Sequence, residues 1–557
     1  MSETITGGEA VYRVLKGAGV KTVFGLLGGS MLELYDAIHR DGDIAYIGAR
    51  DERAAGHMAD AHARVTGGPG IVLGAQAGPG VVNLVTAVAE AHLAYAPLVV
   101  IAGAISRADL GKDTFQEIDQ VALFAPICKR SILVTEPARL AEMLRDAIRL
   151  AMSGRRGPVV LHVPRDLFAA ACAVPQAGPI RIARAGPPGL ADLEALAAML
   201  GRAERPVIIA GGGLKSAAGS TALVDLAERL QIPVVASTGH ADVMPHGHAL
   251  FAGQGGPRGN RVASGLTRDA DAILAIGARL AFNSTFLSHD YISADARIAQ
   301  IDIEASAVGR YFPVEVAMQA DAVESARAIA DLDGLDPARW ADWRAQFQQD
   351  LQSLAAERQG EAADEAQPMH PRRALAEIRA ALPRTAIVTL DTGNACLQAA
   401  DRLAHYESPG LITPLDFGLV GFGYAAALGA KAAAPGRPVV AVMGDGAFGY
   451  TMAEVKTAVQ HGLGVIAVVL DNCAWGAEKA YQQEFFGGRL IGAEIDGLPL
   501  DEFARLCGAQ GWRAETPEAL RDALAQALQG DGPGLIHVKI DPTALNTLRK
   551  DLFSRKD

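Results

Sequence analysis

Aromatic residues are scarce in this chain of 557 residues, at 5%, and there are only five cysteines. Cys128, Cys172, Cys396, Cys473 and Cys507 are scattered, odd in number and without metal-ligand spacing. That excludes a disulfide framework and a cysteine-built metal site, and it fits reduced thiols in a cytoplasmic protein. Long apolar runs are also missing. The longest, near 94–104, contains Pro97 and falls short of the roughly 20 residues a spanning helix needs, so no membrane association is expected. Residues 1–10 are polar, which argues against a signal peptide. Positive charge is not in excess: the net charge is -12, which speaks against a nucleic-acid partner. No short-period repeat is visible.

What is present is a globular balance, 50% hydrophobic and 20% charged, in a chain long enough for three or four domains. Short apolar runs alternate with amphipathic stretches throughout, the pattern of parallel sheets flanked by helices in an α/β fold. A first block has runs at Val23-Phe24-Gly25, 70–73, 98–102 and 159–163, and residues 169–190, rich in Pro, Gly and Ala, read as a linker. A second block has runs at 207–210, 234–236, 272–276 and 298–303. The polar stretch 355–367 reads as an exposed connector after a helix. A third block has runs at 386–390, 439–443, 465–470 and 535–540. The expected domains are 1–170, 190–335 and 368–557.

The strongest motif is Gly444-Asp445-Gly446, followed by Asn472. Asp445 and Asn472 each close a strand-like run, with a helix expected at 452–461 between them. Two oxygen ligands at the carboxyl ends of parallel strands suit Mg²⁺ and, through it, a diphosphate. The flanking glycines let backbone approach phosphate closely. This pattern resembles the signature of thiamine diphosphate (ThDP) enzymes. The order of the three blocks resembles the acetohydroxyacid synthase and pyruvate decarboxylase branch, with pyrimidine-binding, central and diphosphate-binding domains.

The resemblance implies that Asp445, Asn472 and the Ala474 carbonyl hold Mg²⁺. It implies further that Gly28, Gly78, Asn83, Val420, Gly444, Gly446, Ala447 and Trp475 contact the cofactor. Val420, in Leu419-Val420-Gly421-Phe422-Gly423, falls on the apolar wedge that bends it. Glu52, in Asp51-Glu52-Arg53-Ala54-Ala55, falls on the catalytic carboxylic acid that hydrogen-bonds the aminopyrimidine and promotes loss of the thiazolium proton. Family members usually carry His before that Glu; here the residue is Asp51, which suits either a helix cap or a change in proton handling or substrate choice. Gln116, in Thr114-Phe115-Gln116-Glu117-Ile118, falls on a glutamine that faces the reacting carbon.

Within the branch, the string Asn472-Cys473-Ala474-Trp475-Gly476-Ala477-Glu478-Lys479 looks most like the sulfoacetaldehyde acetyltransferase family. That family converts sulfoacetaldehyde and phosphate to acetyl phosphate and sulfite. Such chemistry needs anion anchors, for which Arg53, Lys479 and Arg489 are the candidates. The resemblance also implies a homodimer or homotetramer with the active site at a subunit interface. A structural FAD is not expected, because Leu280-Ala281-Phe282-Asn283 stands after Gly277-Ala278-Arg279 where flavoprotein-like residues would be sought.

Three other readings share parts of this evidence. A carboligase, a 2-oxo acid decarboxylase or a 2-hydroxyacyl-CoA lyase would use the same Glu52, Asp445 and Asn472. A non-catalytic relative would keep the fold alone. A nicotinamide dehydrogenase rests on Gly211-Gly212-Gly213 after a strand, without the acidic ribose partner the motif needs.

Overall fold

The computed structural model describes residues 4–175 and 178–547. Among these residues three parallel six-stranded sheets form, each from one block of sequence, and helices flank them. A two-stranded antiparallel ribbon pairs β1 (Thr4–Thr6) with β8 (Ala171–Ala173). The ribbon occupies the start of the stretch read as a linker, which is therefore ordered at that end.

The first sheet holds β2 (Thr22–Leu26), β3 (Ala45–Gly48), β4 (Gly70–Gly74), β5 (Leu98–Ala104), β6 (Arg130–Leu133) and β7 (Val159–Pro164), in the order β3-β2-β4-β5-β7-β6. The second holds β9 (Pro206–Ala210), β10 (Val234–Ala236), β11 (Phe251–Gln254), β12 (Ala272–Ile276), β13 (Arg297–Asp302) and β14 (Val316–Gln319), in the order β11-β10-β9-β12-β13-β14. The third holds β15 (Ile387–Leu390), β16 (Leu411–Ile412), β17 (Val439–Gly444), β18 (Val465–Asp471), β19 (Gln510–Ala514) and β20 (Gly534–Lys539), in the order β16-β15-β17-β18-β20-β19. The first and third sheets thus share one winding, and the middle sheet has the order found in dinucleotide-binding folds.

The chain forms two compact units. The first comprises residues 1–183, 424–436 and 451–465, and the second comprises 184–423, 437–450 and 466–557. In the first unit, helix Glu52–Thr66 is crossed closely by helix Gly423–Ala433. A β-carbon at Gly429 would lie 1.9 Å from the Met58 carbonyl oxygen, so only glycine allows that approach. The Arg50 N–H donates to Glu454 Oε1 at 2.9 Å, and the Arg50 guanidinium donates to Gln460 Oε1 at 2.5 Å.

In the second unit, helix Ala341–Ala362 runs through most of the stretch read as a connector. Its composition is polar because most of its residues are exposed or half-buried. Phe347 and Leu354 alone are fully buried, and they join the core on one face of the second sheet. The three central-domain glycines serve packing. A β-carbon at Gly211 would lie 2.3 Å from the Gly277 carbonyl oxygen, and one at Gly213 would lie 2.8 Å from Gly277 Cα. The helix expected at 452–461 spans Glu454–Gln460. Among the described residues no helix is long and apolar enough to cross a membrane.

Candidate active site

Parallel open sheets bind ligands beyond the carboxyl ends of their strands, at the point where the winding reverses. In the first sheet that point lies between β2 and β4. Gly28 follows β2, and a β-carbon on it would meet the Gln76 nitrogen at 2.7 Å. The Gln76 side chain accepts from Gly29 N–H at 3.0 Å and donates through Nε2 to Gln116 Oε1 at 2.5 Å. Gln116 itself has φ +69°, and its carbonyl oxygen would lie 2.5 Å from a β-carbon at Gly78. Gly78 has φ +70° and donates its N–H to Gln120 Oε1 at 2.8 Å. Gly28, Gly78 and Gln116 therefore form one crevice, with Gln76 as the residue that joins them. Gln76 was not among the sequence candidates, although it stands two residues before Gly78.

Glu52 opens helix Glu52–Thr66 and is only 5% exposed. Asp51 is the cap of that helix, its Oδ1 accepting Arg53 N–H at 2.7 Å, which frees Glu52 from a capping role. Asn83 Nδ2 donates to Glu52 Oε2 at 2.9 Å. A β-carbon at Gly80 would lie 2.8 Å from Glu52 Oε1, so glycine keeps the space beside the carboxyl group open. Arg53 is half-buried on the same helix.

The third sheet, with the same winding, reverses between β15 and β17. Asp445 follows β17 and begins the short helix Asp445–Gly449, in which Ala447 is buried. Both carboxylate oxygens of Asp445 are buried with no hydrogen-bond partner among the described residues. Burial and the neighbouring Asp471 carboxylate hold its pKa above the usual range. A β-carbon at Gly446 would lie 2.8 Å from the Trp475 ring, and that ring meets Tyr450 edge-on at 6.1 Å.

Asn472 follows β18 and is half-buried, its Nδ2 3.0 Å from where a β-carbon of Gly476 would stand. The 472–475 loop pairs with a second segment. Trp475 N–H donates to Ala493 O at 2.8 Å, Ile495 N–H donates to Cys473 O at 3.1 Å, and Ala474 bridges Glu494. Lys479 is ion-paired with Glu494 at 2.9 Å, and Arg489 is exposed.

Val420 is half-buried in a loop held by Asp391, at the end of β15. Asp391 Oδ1 accepts Gly421 N–H at 3.0 Å and Oδ2 accepts Gly423 N–H at 2.7 Å. Burial pushes the Asp391 carboxyl up to about 6 against these bonds. Thr392 Oγ1 donates to Leu419 O at 2.9 Å. Neither Asp391 nor Thr392 was a sequence candidate, and Asp-Thr-Gly after an apolar run was the available signal.

The donor set suits the group the fold implies. An unpaired buried carboxylate is costly, and a cation relieves that cost. Gly444, where a β-carbon would meet nothing closer than the Leu470 carbonyl oxygen at 3.9 Å, leaves backbone open to a diphosphate. Crevices of this kind, on parallel sheets of one winding, suit a diphosphate cofactor held by an α/β protein.

The comparisons agree. The family "Thiamine pyrophosphate enzyme, N-terminal TPP binding domain" matches residues 5–123, its central domain matches 193–329, and its C-terminal TPP binding domain matches 391–538. The chain belongs to the thiamine pyrophosphate enzyme family. Among its relatives are sulfoacetaldehyde acetyltransferases of Castellaniella defragrans and Alcaligenes xylosoxydans xylosoxydans. Each is 34% identical over 94% of this chain, and the matches cover 91% and 90% of those proteins respectively. A probable acetolactate synthase large subunit of Methanocaldococcus jannaschii is 30% identical over 96% of this chain and 92% of its own length.

Proposed function

We propose that the protein is a Mg²⁺- and ThDP-dependent acyl transferase that converts sulfoacetaldehyde and phosphate to acetyl phosphate and sulfite. The observation that carries the cofactor reading is the orphaned Asp445 carboxylate at the tip of β17, next to the Asn472 loop. The relatives at 34% identity support the reaction.

In this reading Asp445, the Asn472 amide oxygen and the Ala474 carbonyl bind Mg²⁺, and Gly444, Gly446, Ala447 and Trp475 line the diphosphate end. Gly28, Gly78 and Asn83 flank the pyrimidine end, and Val420 supports the bend. The bound cofactor supplies a carbon nucleophile and an electron sink. Glu52 holds the proton that the aminopyrimidine shares, with Asn83 fixing its orientation. Gln116, tied to Gln76, presents its amide to the reacting centre. Arg53 and Arg489 are the candidate anchors for sulfonate and phosphate, and Lys479 serves only if its pair with Glu494 opens.

The active unit is a homodimer or homotetramer in which Glu52 of one subunit and Asp445 of another serve one cofactor. Exposed Phe115 (86%) and Leu27 (62%), in the loops after β5 and β2, support burial against a second copy.

The test is product identification. Sulfoacetaldehyde with phosphate is expected to give acetyl phosphate and free sulfite in equal amounts. Turnover of 2-oxo acids to acetolactate-type products, independent of phosphate, would instead favour the carboligase reading that the acetolactate synthase relative supports.

A further inference from the structure

Beneath the 472–475 loop lies a charged cluster that none of the roles above uses. β18 and β20 are neighbours in register, with Asp471 opposite Lys539. Lys539 Nζ donates to Asp471 Oδ2 at 2.5 Å, and His537 Nε2 lies 2.6 Å from the same oxygen. Asp471 Oδ1 accepts Cys473 N–H at 2.8 Å. Asp471 is 1% exposed, so its charge is held almost wholly by these partners.

The geometry has a local purpose. Cys473 has φ +52°, a conformation that costs a residue with a β-carbon about a kcal/mol or more. The Asp471 acceptor on its N–H offsets that cost and turns the chain between Asn472 and Ala474. The second segment closes over the same cluster: a β-carbon at Gly497 would lie 3.1 Å from Cys473 Sγ and 3.4 Å from Lys539 Nζ.

We propose that Lys539 is a positioning residue for the divalent-cation site, acting through Asp471 to hold the loop that presents Asn472 and the Ala474 carbonyl. This rests on the reading of that loop as a Mg²⁺ site. Side chains behind metal ligands typically change metal affinity by about 10- to 100-fold.

The experiment titrates Mg²⁺ into full-length protein with saturating ThDP, followed by calorimetry and by quenching of Trp475, whose ring abuts Gly446. Lys539→Met is expected to raise the apparent Kd for Mg²⁺ about 10- to 100-fold in protein that still folds, with a lowered cofactor-free unfolding midpoint because Asp471 loses a charge partner. Lys539→Arg is expected to recover part of the affinity. Should Lys539→Met fail to fold, Asp471→Asn, which keeps an acceptor for Cys473 N–H but removes the charge partner of Lys539, is expected to show the same loss. Wild-type Mg²⁺ affinity in the folded variants overturns the proposal alone. A wild-type protein that takes up no Mg²⁺ with ThDP overturns both this and the cofactor reading.

Discussion

Asp445 is a carboxylate buried with no hydrogen-bond partner among the described residues. Such a group destabilises the cofactor-free fold by about 1–3 kcal/mol. Asp445→Ala is therefore expected to stabilise the cofactor-free protein by about 1–2 kcal/mol while abolishing ThDP uptake. Denaturant titration and calorimetry read the two effects separately. Glu52→Gln has the opposite profile. The amide still accepts from Asn83 but cannot hold an exchangeable acid proton, so uptake should persist while turnover falls about 10²- to 10⁴-fold in steady-state assays. Full activity in that variant would refute the role given to Glu52. These residues are legible in the sequence because each lies in a short string with its own chemistry. Asp471, His537 and Lys539 are not. Their contact depends on the register of two strands whose partners stand 66 and 68 positions apart.

At the scale of elements, the apolar runs in the sequence identify the four interior strands of each sheet and miss both edges. The missed strands are β3, β6, β11, β14, β16 and β19, each at an end of its sheet. Interior strands are covered on both faces and read as continuous Val, Ile and Leu. β6 is wholly part-exposed or exposed and β14 alternates, so neither carries such a run. β16 is buried but only two residues long, and β11 is interrupted by Gly253. The crossing of helices Gly423–Ala433 and Glu52–Thr66 was equally hidden, since nothing in a single glycine announces its neighbour. Gly429→Ala places a methyl on the Met58 carbonyl and is expected to cost about 1–3 kcal/mol. Turnover should fall with it, because the displaced helix begins with Glu52. A variant with unchanged stability in urea would contradict that packing.

At the scale of the molecule, stability should fall in mild acid. His57 and His246 are both buried, which lowers their pKa from 6.5 to about 3 and about 4. The unfolded chain binds these protons below about 6.5 and the folded chain does not, so the unfolded state gains as pH drops. No penalty exists above that pH. It grows by about 1.4 kcal/mol per pH unit per histidine until the folded pKa is reached. Urea midpoints at pH 7, 6 and 5 should therefore decline, and His246→Gln should flatten the slope. A His246→Gln variant with the same slope as the wild type across that window would rule out neutral burial of that ring.

The first and third sheets coil in the same strand order yet end in unlike chemistry, a glutamate with amides at one mouth and an orphan carboxylate with glycines at the other. On the proposed function, two equivalent scaffolds divide the labour, one half governing proton traffic and the other anchoring charge. Directed evolution is then expected to retune what the enzyme does to a substrate at the first mouth without loosening its hold on the coenzyme's tail at the second.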